Sequence, residues 1–229
     1  MLSVVKSIAL QGLNGYLVSI EVDISNGIPY FEIVGLPDAS VKEAKERVKI
    51  AIKNIGIEFF SRKITVNLAP ANTKKEGSIF DLAIAIGILI ASKEIDNPYL
   101  EEFLRETIFI GELSLDGAVQ NVNGVLPICI EARKLGIKRI VLSKKNSKEA
   151  SIIEGLEILP INNLKEIVEY LNGEGYIEKE KIQKMNIENK AFYNFDFSEV
   201  KGQENVKRAL EISAAGGHNC ILIRYSRIW

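Results

Sequence analysis

Ten consecutive residues, Leu82 to Ala91, carry no polar side chain. A bilayer span needs about 20 apolar residues, so this run is half of one and must find its apolar surroundings inside a protein. With Phe80 ahead of it the stretch is apolar on nearly every side. That predicts a helix buried all round over Phe80–Ala91, not an amphipathic one lying on a surface. A chain that hides a helix completely must supply layers to cover it, and the composition allows this. Of 229 residues 47% are hydrophobic and 26% charged, with 6 prolines, which excludes a disordered, collagenous or low-complexity chain. The length fits one large domain, or one domain plus a fragment.

The opening residues read as strands. Ser3–Leu10, Tyr16–Ile24 and Tyr30–Val34 are rich in Val, Ile, Tyr and Phe, and are separated by Gly12, Asn14-Gly15 and Asn26-Gly27 with Pro29. Asn-Gly between apolar runs is the strongest short hairpin signal. Val18, Ile20, Val22 and Ile24 alternate with Ser19, Glu21 and Asp23, so that strand is half buried. An antiparallel meander is expected. A helix follows: Asp38 caps it after Pro37, then Val41, Ala44, Val48, Ile52 and Ile55 recur at helical spacing, and Gly56 closes it. Its outer face carries Lys42, Glu43, Lys45, Glu46, Arg47, Lys49 and Lys53. Further strands are expected at Lys63–Leu68, Thr107–Leu115, Arg139–Leu142 and Glu157–Leu159, and helices at Leu126–Leu135, Ser147–Ile153 and Leu164–Leu171. Strand-rich first and alternating later, this order describes an α+β domain over residues 1–172 with one core.

Residues 173–193 change character. Glu174, Glu178, Lys179, Glu180, Lys181 and Lys184 crowd a stretch with few apolar anchors behind Gly173 and Gly175, which reads as an interdomain linker. Beyond it Phe197–Ala215 is largely helical, with Val200, Val206, Leu210 and Ile212 as its apolar side and Gly216-Gly217 as its stop; Asn219–Ile223 reads as a short strand. The residues from Tyr193 onward are too few to enclose a core of their own.

Several function classes drop out on composition. Lys+Arg 29 against Asp+Glu 30 leaves a net charge of −1, so any grip on nucleic acid has to come from a local patch. Cys129 and Cys220 lie far apart in apolar stretches and His218 is the single histidine, so no zinc set, disulfide framework or histidine-based nucleophile is expected. Lys6 is followed by no apolar leader and no small-residue cleavage site; the chain is expected in the cytoplasm.

Two sets of motifs resemble a known family. Phe197-Ser198-Glu199-Val200-Lys201-Gly202-Gln203-Glu204, then Lys207-Arg208-Ala209-Leu210-Glu211-Ile212 and Gly216-Gly217-His218-Asn219, resemble the start of the AAA+ module of the YifB/ComM family of Mg-chelatase-like proteins, relatives of the magnesium chelatase subunit ChlI. Phe31-Glu32-Ile33-Val34-Gly35-Leu36-Pro37-Asp38, Val66-Asn67-Leu68-Ala69-Pro70-Ala71, Gly77-Ser78-Ile79-Phe80-Asp81-Leu82 and Ile110-Gly111-Glu112-Leu113-Ser114-Leu115-Asp116-Gly117 resemble that family's N-terminal domain. The resemblance implies a Lon-protease-like fold (ribosomal S5 domain 2 type) for 1–172, a charged linker over 173–193, and an incomplete AAA+ (P-loop α/β) fragment over 194–223. Residues 224–229 fall outside the family pattern. In the family the strand corresponding to Asn219–Ile223 runs into G-P-P-G-x-G-K-[ST], whose amides, lysine and hydroxyl take up phosphates and Mg²⁺. Here Arg224-Tyr225-Ser226-Arg227-Ile228-Trp229 stand instead. Val200, Gly202 and Gln203 would therefore face the adenine of ATP only in a completed module, and this stretch is expected to hold neither ATP nor Mg²⁺ unaided.

By the same resemblance the full-length family is an ATP-driven hexameric ring, a branch-migrating DNA helicase in natural transformation. This chain is expected to be its non-catalytic N-terminal accessory part, partnered by its own AAA+ module, neighbouring subunits and DNA, with no membrane role. Three other readings follow from the same residues: a Lon-like Ser–Lys peptidase, a freestanding interaction module, and a magnesium chelatase subunit. The peptidase reading meets Ile79 at the serine position and Leu126 at the lysine position, and an aliphatic side chain can neither attack a carbonyl nor accept a proton. A shifted dyad of Ser78 with Lys74 or Lys75 is the alternative to Ser78 capping the buried helix with both lysines solvated. Asp81 is either a first-turn acid favoured by the helix dipole or, with Glu112, a carboxylate pair; Glu101-Glu102 is a second such pair. Asn67, Asn72 and Thr73 read as turn formers around Pro70. Finally, Arg133, Lys134, Lys138, Arg139, Lys144, Lys145 and Lys148 fall between residues 133 and 148 with no acid among them, a cluster suited to phosphates and either a DNA grip or a helix end with a solvated loop.

Overall fold

Two long strands, β1 (Leu2–Gln11) and β2 (Asn14–Ser25), open the computed structural model, paired antiparallel from Leu2 against Asp23 to Gln11 against Asn14. The structure describes residues 2–59, 62–182 and 196–223. The hairpin turns at Gly12-Leu13, where Gly12 takes φ +63°, and not at the expected Asn14-Gly15. Gly15 has a packing role: a Cβ there would come within 2.7 Å of Glu131 Cβ, so a side chain would displace the helix that carries Glu131.

After these come β3 (Tyr30–Val34), α1 (Ala39–Asn54), β4 (Lys63–Ala69), a 3₁₀ turn (Ser78–Phe80), α2 (Asp81–Ala91), α3 (Leu100–Arg105), β5 (Thr107–Phe109), β6 (Glu112–Leu113) and β7 (Val119–Gln120). Then follow α4 (Val125–Lys134), β8 (Arg139–Ser143), α5 (Ser147–Ala150), β9 (Glu157–Ile161), α6 (Leu164–Leu171) and, in the last described stretch, α7 (Glu204–Gly216). Seven strands form one mixed sheet in the order β3-β4-β2-β1-β5-β8-β9, and β6-β7 is a separate ribbon. The meander expectation fails at β3, which pairs parallel with β4 at the sheet edge while β4 inserts antiparallel beside β2. Pairings β1-β5, β5-β8 and β8-β9 are parallel as well, so the sheet is mostly parallel.

One core was expected and two are found, because half of the sheet is covered on both faces. Val141 and Leu159 face one cluster with α1 and α2, whereas Ile140, Leu142 and Ile158 face a second with Val125, Ile128 and Cys129 of α4. Strand neighbours point to opposite faces, so strands buried on both sides read as unbroken apolar runs, as β8 does. In β2 and β4 only Val18, Ile20, Val22, Ile24 and Ile64, Val66, Leu68 are buried, which is the alternation seen in the sequence. All eleven residues of α2 are buried, against β1, β2 and α1.

The strand expected over Thr107–Leu115 breaks after Phe109. Gly111 donates its N–H to the Ile79 carbonyl (3.0 Å) and accepts from Leu82 N–H (3.1 Å), so its backbone is paired with the start of α2 instead of the sheet. Asp38 caps α1 as expected, accepting from Val41 N–H at 2.8 Å, and its other oxygen accepts from Gly77 N–H at 3.2 Å. Asp38→Ala therefore removes a cap and a tie between two loops. The expected loss is about 1–2 kcal/mol, read as a lower urea midpoint with an unchanged slope; a loss within error would remove Asp38 from this role.

Contact density divides the chain into two units, Met1–Met185 and Asn186–Trp229. Gly173–Ile182, expected as the head of a linker, belong with the first. Ile177 is buried in its core, Glu180 N–H donates to the Ile158 carbonyl (3.1 Å), and Lys179 pairs with Glu157 (3.1 Å). Residues 183–193 of the expected linker and the tail 224–229 lie outside the described residues. In the second unit the expected helix is interrupted: a 3₁₀ turn (Phe197–Glu199) is followed by Gly202 and Gln203 at φ +71° and +56°, and only then by α7. Asn219–Ile223 forms no strand, for it meets no ladder partner among the described residues.

Candidate functional site

The resemblance directs attention to the loop before α2, which lines a cleft of about 310 Å³ with Leu10, Glu112 and Asn121–Asn123. Ile79 lies in this cleft, and Leu126 stands in the first turn of α4, its N–H donating to Glu149 Oε1 at 3.1 Å. Ser78 does not cap α2; its hydroxyl donates to Glu112 Oε2, a carboxylate brought round by the break at Gly111. Neither lysine of a shifted dyad reaches it. Lys74 Nζ is held by Glu76 at the surface (2.7 Å). Lys75 is fully buried, with its ammonium donating to the Pro70 carbonyl and to the Thr73 carbonyl (2.7 Å). Burial pushes the Lys75 ammonium down from its ordinary value, as a general base requires, but its nitrogen is turned into the 70–73 loop, away from Ser78. The expectation of a solvated Lys75 is thus corrected.

Beside the cleft, Asp81 is held by a side chain expected to point outward. Arg47 turns in from α1 and grips Asp81 with two hydrogen bonds, Nε to Oδ2 at 2.7 Å and Nη2 to Oδ1 at 3.0 Å, and Nη2 also donates to the Ser40 carbonyl (3.1 Å). Leu113 N–H donates to Asp81 Oδ2 as well (3.2 Å). Burial raises the Asp81 carboxyl above its usual range, opposed by the guanidinium beside it. The fold does bring Asp81 and Glu112 to one corner, but Arg47 holds both oxygens of Asp81 and Ser78 binds Oε2 of Glu112. No group of three His, Cys, Asp or Glu side chains able to hold a metal occurs among the described residues. Glu101 and Glu102 sit in the first turn of α3, where acids suit the helix dipole. Asn67 lies inside β4, not in a turn, and donates to Glu21 across the strand pair (2.9 Å). Cys129 is buried in α4 and its thiol is pushed up to about 12 by loss of solvent, so it is inert.

The seven cations of residues 133–148 are not one patch. β8 separates them by about 15 Å, five residues at strand rise. At one end Lys134 pairs with Glu131 (3.2 Å), Lys138 and Arg139 with Glu106 (2.5 and 3.3 Å), and Arg139 also with Glu157 (3.6 Å) while lying over the Phe103 ring. Only Arg133 there has no ion pair among the described residues. At the other end Lys144, Lys145 and Lys148 are exposed, and Lys145 Nζ donates to Gln120 (2.8 Å). In the second unit Val200 is exposed and Gly202-Gln203 form the turn into α7. No step through ATP is derived from these residues. Among the described residues no helix is long and apolar enough to cross a membrane.

Comparison with known proteins places these features. Residues 20–146 match the family described as subunit ChlI of Mg-chelatase, and residues 196–225 match a second description, magnesium chelatase, subunit ChlI. The chain is 39% identical to Competence protein ComM of Haemophilus influenzae and 41% identical to Uncharacterized protein YifB of Escherichia coli, each over 97% of this chain. It spans 43% and 42% of the lengths of those two relatives. It is also 26% identical to Lon protease 2 of Bacillus subtilis over 72% of this chain and 32% of that protein.

Proposed function

The chain belongs to the ChlI family of Mg-chelatase-like proteins, and from that premise we propose that its first unit is a non-catalytic accessory domain of a ring-forming AAA+ ATPase that acts on DNA. The observation that carries the non-catalytic reading is the state of the cleft: Ile79, at the serine position by resemblance, lines it, the neighbouring Ser78 hydroxyl is hydrogen-bonded to the Glu112 carboxylate, and the lysine position falls on Leu126 in the first turn of α4. The Lon-like fold is then a scaffold whose chemistry has been replaced by packing and a closed polar network. Similarity to a protein named for competence supports DNA as the substrate of the whole assembly, and the ATP and Mg²⁺ of that assembly would be bound by its AAA+ module. Residues 196–223 are read as the beginning of that module, with Val200, Gly202 and Gln203 on its adenine side. Lys144, Lys145 and Lys148 are the part of the basic cluster left to contact a phosphate backbone, by charge and without reading bases.

The test uses the 229-residue chain with fluorescent duplex DNA and with fluorescent casein. Binding that weakens steeply with salt, and that falls at least several-fold in the Lys144→Glu/Lys145→Glu variant, is expected. No casein cleavage above the buffer blank is expected. Cleavage abolished by Ser78→Ala would reinstate the peptidase reading, and absence of binding to any DNA at low salt would remove the DNA reading.

A further inference from the structure

A second basic surface lies at the opposite edge of the sheet, where neither the family resemblance nor the 133–148 cluster points. Between α1 and the edge strand β3 runs a groove of about 460 Å³. Lys45, Lys49 and Lys53 line it from α1, and Arg62 lines it from the approach to β4. The three lysines are at i, i+4 and i+8, so they stand on one helix face about 6 Å apart. That is comparable with the step between successive phosphates of an extended single strand. None of the three is ion-paired among the described residues, in contrast to Lys134, Lys138 and Arg139 of the other cluster.

The facing wall of the groove is aromatic. Phe31 of β3 and Phe59 lie stacked, 6.2 Å between ring centres and 29° between planes, and both are only half buried. Tyr30 lies beside them with half of its surface exposed. A row of cations facing flat apolar rings is the arrangement that tracks a nucleic-acid backbone while giving unpaired bases a surface to stack on. Duplex DNA keeps its bases stacked on one another and gains nothing from the rings. Among the described residues the one carboxylate lining the groove is Glu46, which opposes an anion there.

We propose that the α1–β3 groove is a binding site for single-stranded nucleic acid, held by Lys45, Lys49 and Lys53 at the phosphates and by Tyr30 and the Phe31–Phe59 pair at the bases. The site rests on the reading that the chain works on DNA, and adds aromatic rings, of which residues 133–148 themselves contain none. It is sequence-tolerant, because every base has a face to stack.

The experiment is fluorescence anisotropy of the 229-residue chain with labelled oligo-dT across a salt series. Lys45→Gln/Lys49→Gln/Lys53→Gln is expected to weaken binding at least tenfold and to reduce the steepness of log K against log salt by about 2, from three phosphate contacts at about 0.7 each. Tyr30→Ala, at an exposed position, is expected to weaken binding with the salt dependence unchanged, since stacking releases no counterions. Glu46→Gln is expected to tighten binding, a gain that misfolding cannot produce. If oligo-dT binds and all three variants match the wild type, the groove is overturned and the DNA reading stands. If the wild type binds no nucleic acid, both fall. Displacement of oligo-dT by poly-glutamate of equal charge would overturn the nucleic-acid assignment in favour of an acidic peptide.

Discussion

Arg47→Ala is expected to destabilise the first unit by about 3–5 kcal/mol, because it leaves a carboxylate buried without its counter-ion. The Asp81 side chain is 1% exposed and that of Arg47 21%, so solvent cannot replace the lost partner. With a urea slope of about 2–3 kcal/mol/M for a unit of this size, the midpoint drops by about 1–2.5 M. The pH dependence carries a definite sign. Burial already holds the Asp81 carboxyl above its usual value, so the folded state binds that proton more tightly than the unfolded chain does. The stabilisation gained from protonation is complete below the unfolded carboxylate value and is lost as pH rises through the folded one. Removing Arg47 raises the folded value further, so the penalty should be largest at neutral pH and shrink on acidification through the carboxylate range. Arg47→Met/Asp81→Asn removes both charges and keeps an acceptor for Leu113 N–H, and should recover at least half of the loss. A single variant within 1 kcal/mol of wild type would mean that the pair is not what fixes α1 against α2.

Gly35→Ala should cost about 2–5 kcal/mol. Gly35 takes φ +98°, and a Cβ built there lies 2.3 Å from the Leu68 carbonyl oxygen and 2.9 Å from the Leu68 carbonyl carbon and nitrogen. All three are backbone atoms of β4, so relief requires β3 and β4 to part. Backbone strain contributes about 1–2 kcal/mol of this and overpacking about 1–3 kcal/mol. Gly56 separates the two causes: its φ is +93°, and nothing lies within 4 Å of a Cβ there. Gly56→Ala should therefore show the strain alone, and the difference between the two variants, read from urea midpoints, measures the clash. Equal losses would mean that the strand pair yields without cost. Through Gly35 and Leu36, also at positive φ (+57°), the Gly35-Leu36-Pro37-Asp38 motif turns the chain from the sheet edge into the cap of α1.

The buried helix α2, the capped helix α1 and the half-buried strands β2 and β4 were legible in the residues because each follows from a local rule. An all-apolar run has nowhere to go but inside, and an alternating strand has one wet face. The cleft was legible only through resemblance. Ser78, Asp81 and Glu112 were visible as residue types, but whether they formed a dyad, a metal pair or a helix cap depended on which groups arrived from elsewhere in the chain.

What the sequence by itself determined is thus the two principal helices α1 and α2, most of the strands, the absence of a serine–lysine pair at Ile79 and Leu126, and the family. Tertiary structure alone decided the strand order, the second core and the direction of each charged side chain. Periodicity reports which residues are buried but not what buries them, so one core and two gave the same pattern. Charge in a sequence likewise has no position in space. Arg47, written among surface lysines, turned inward because a carboxylate thirty-four residues away needed it. Four of the seven cations counted as one patch lie at the far end of a strand, three of them beside acids from distant segments. Three lysines on one helix face came to stand opposite two stacked rings because a parallel edge strand folded back beside them.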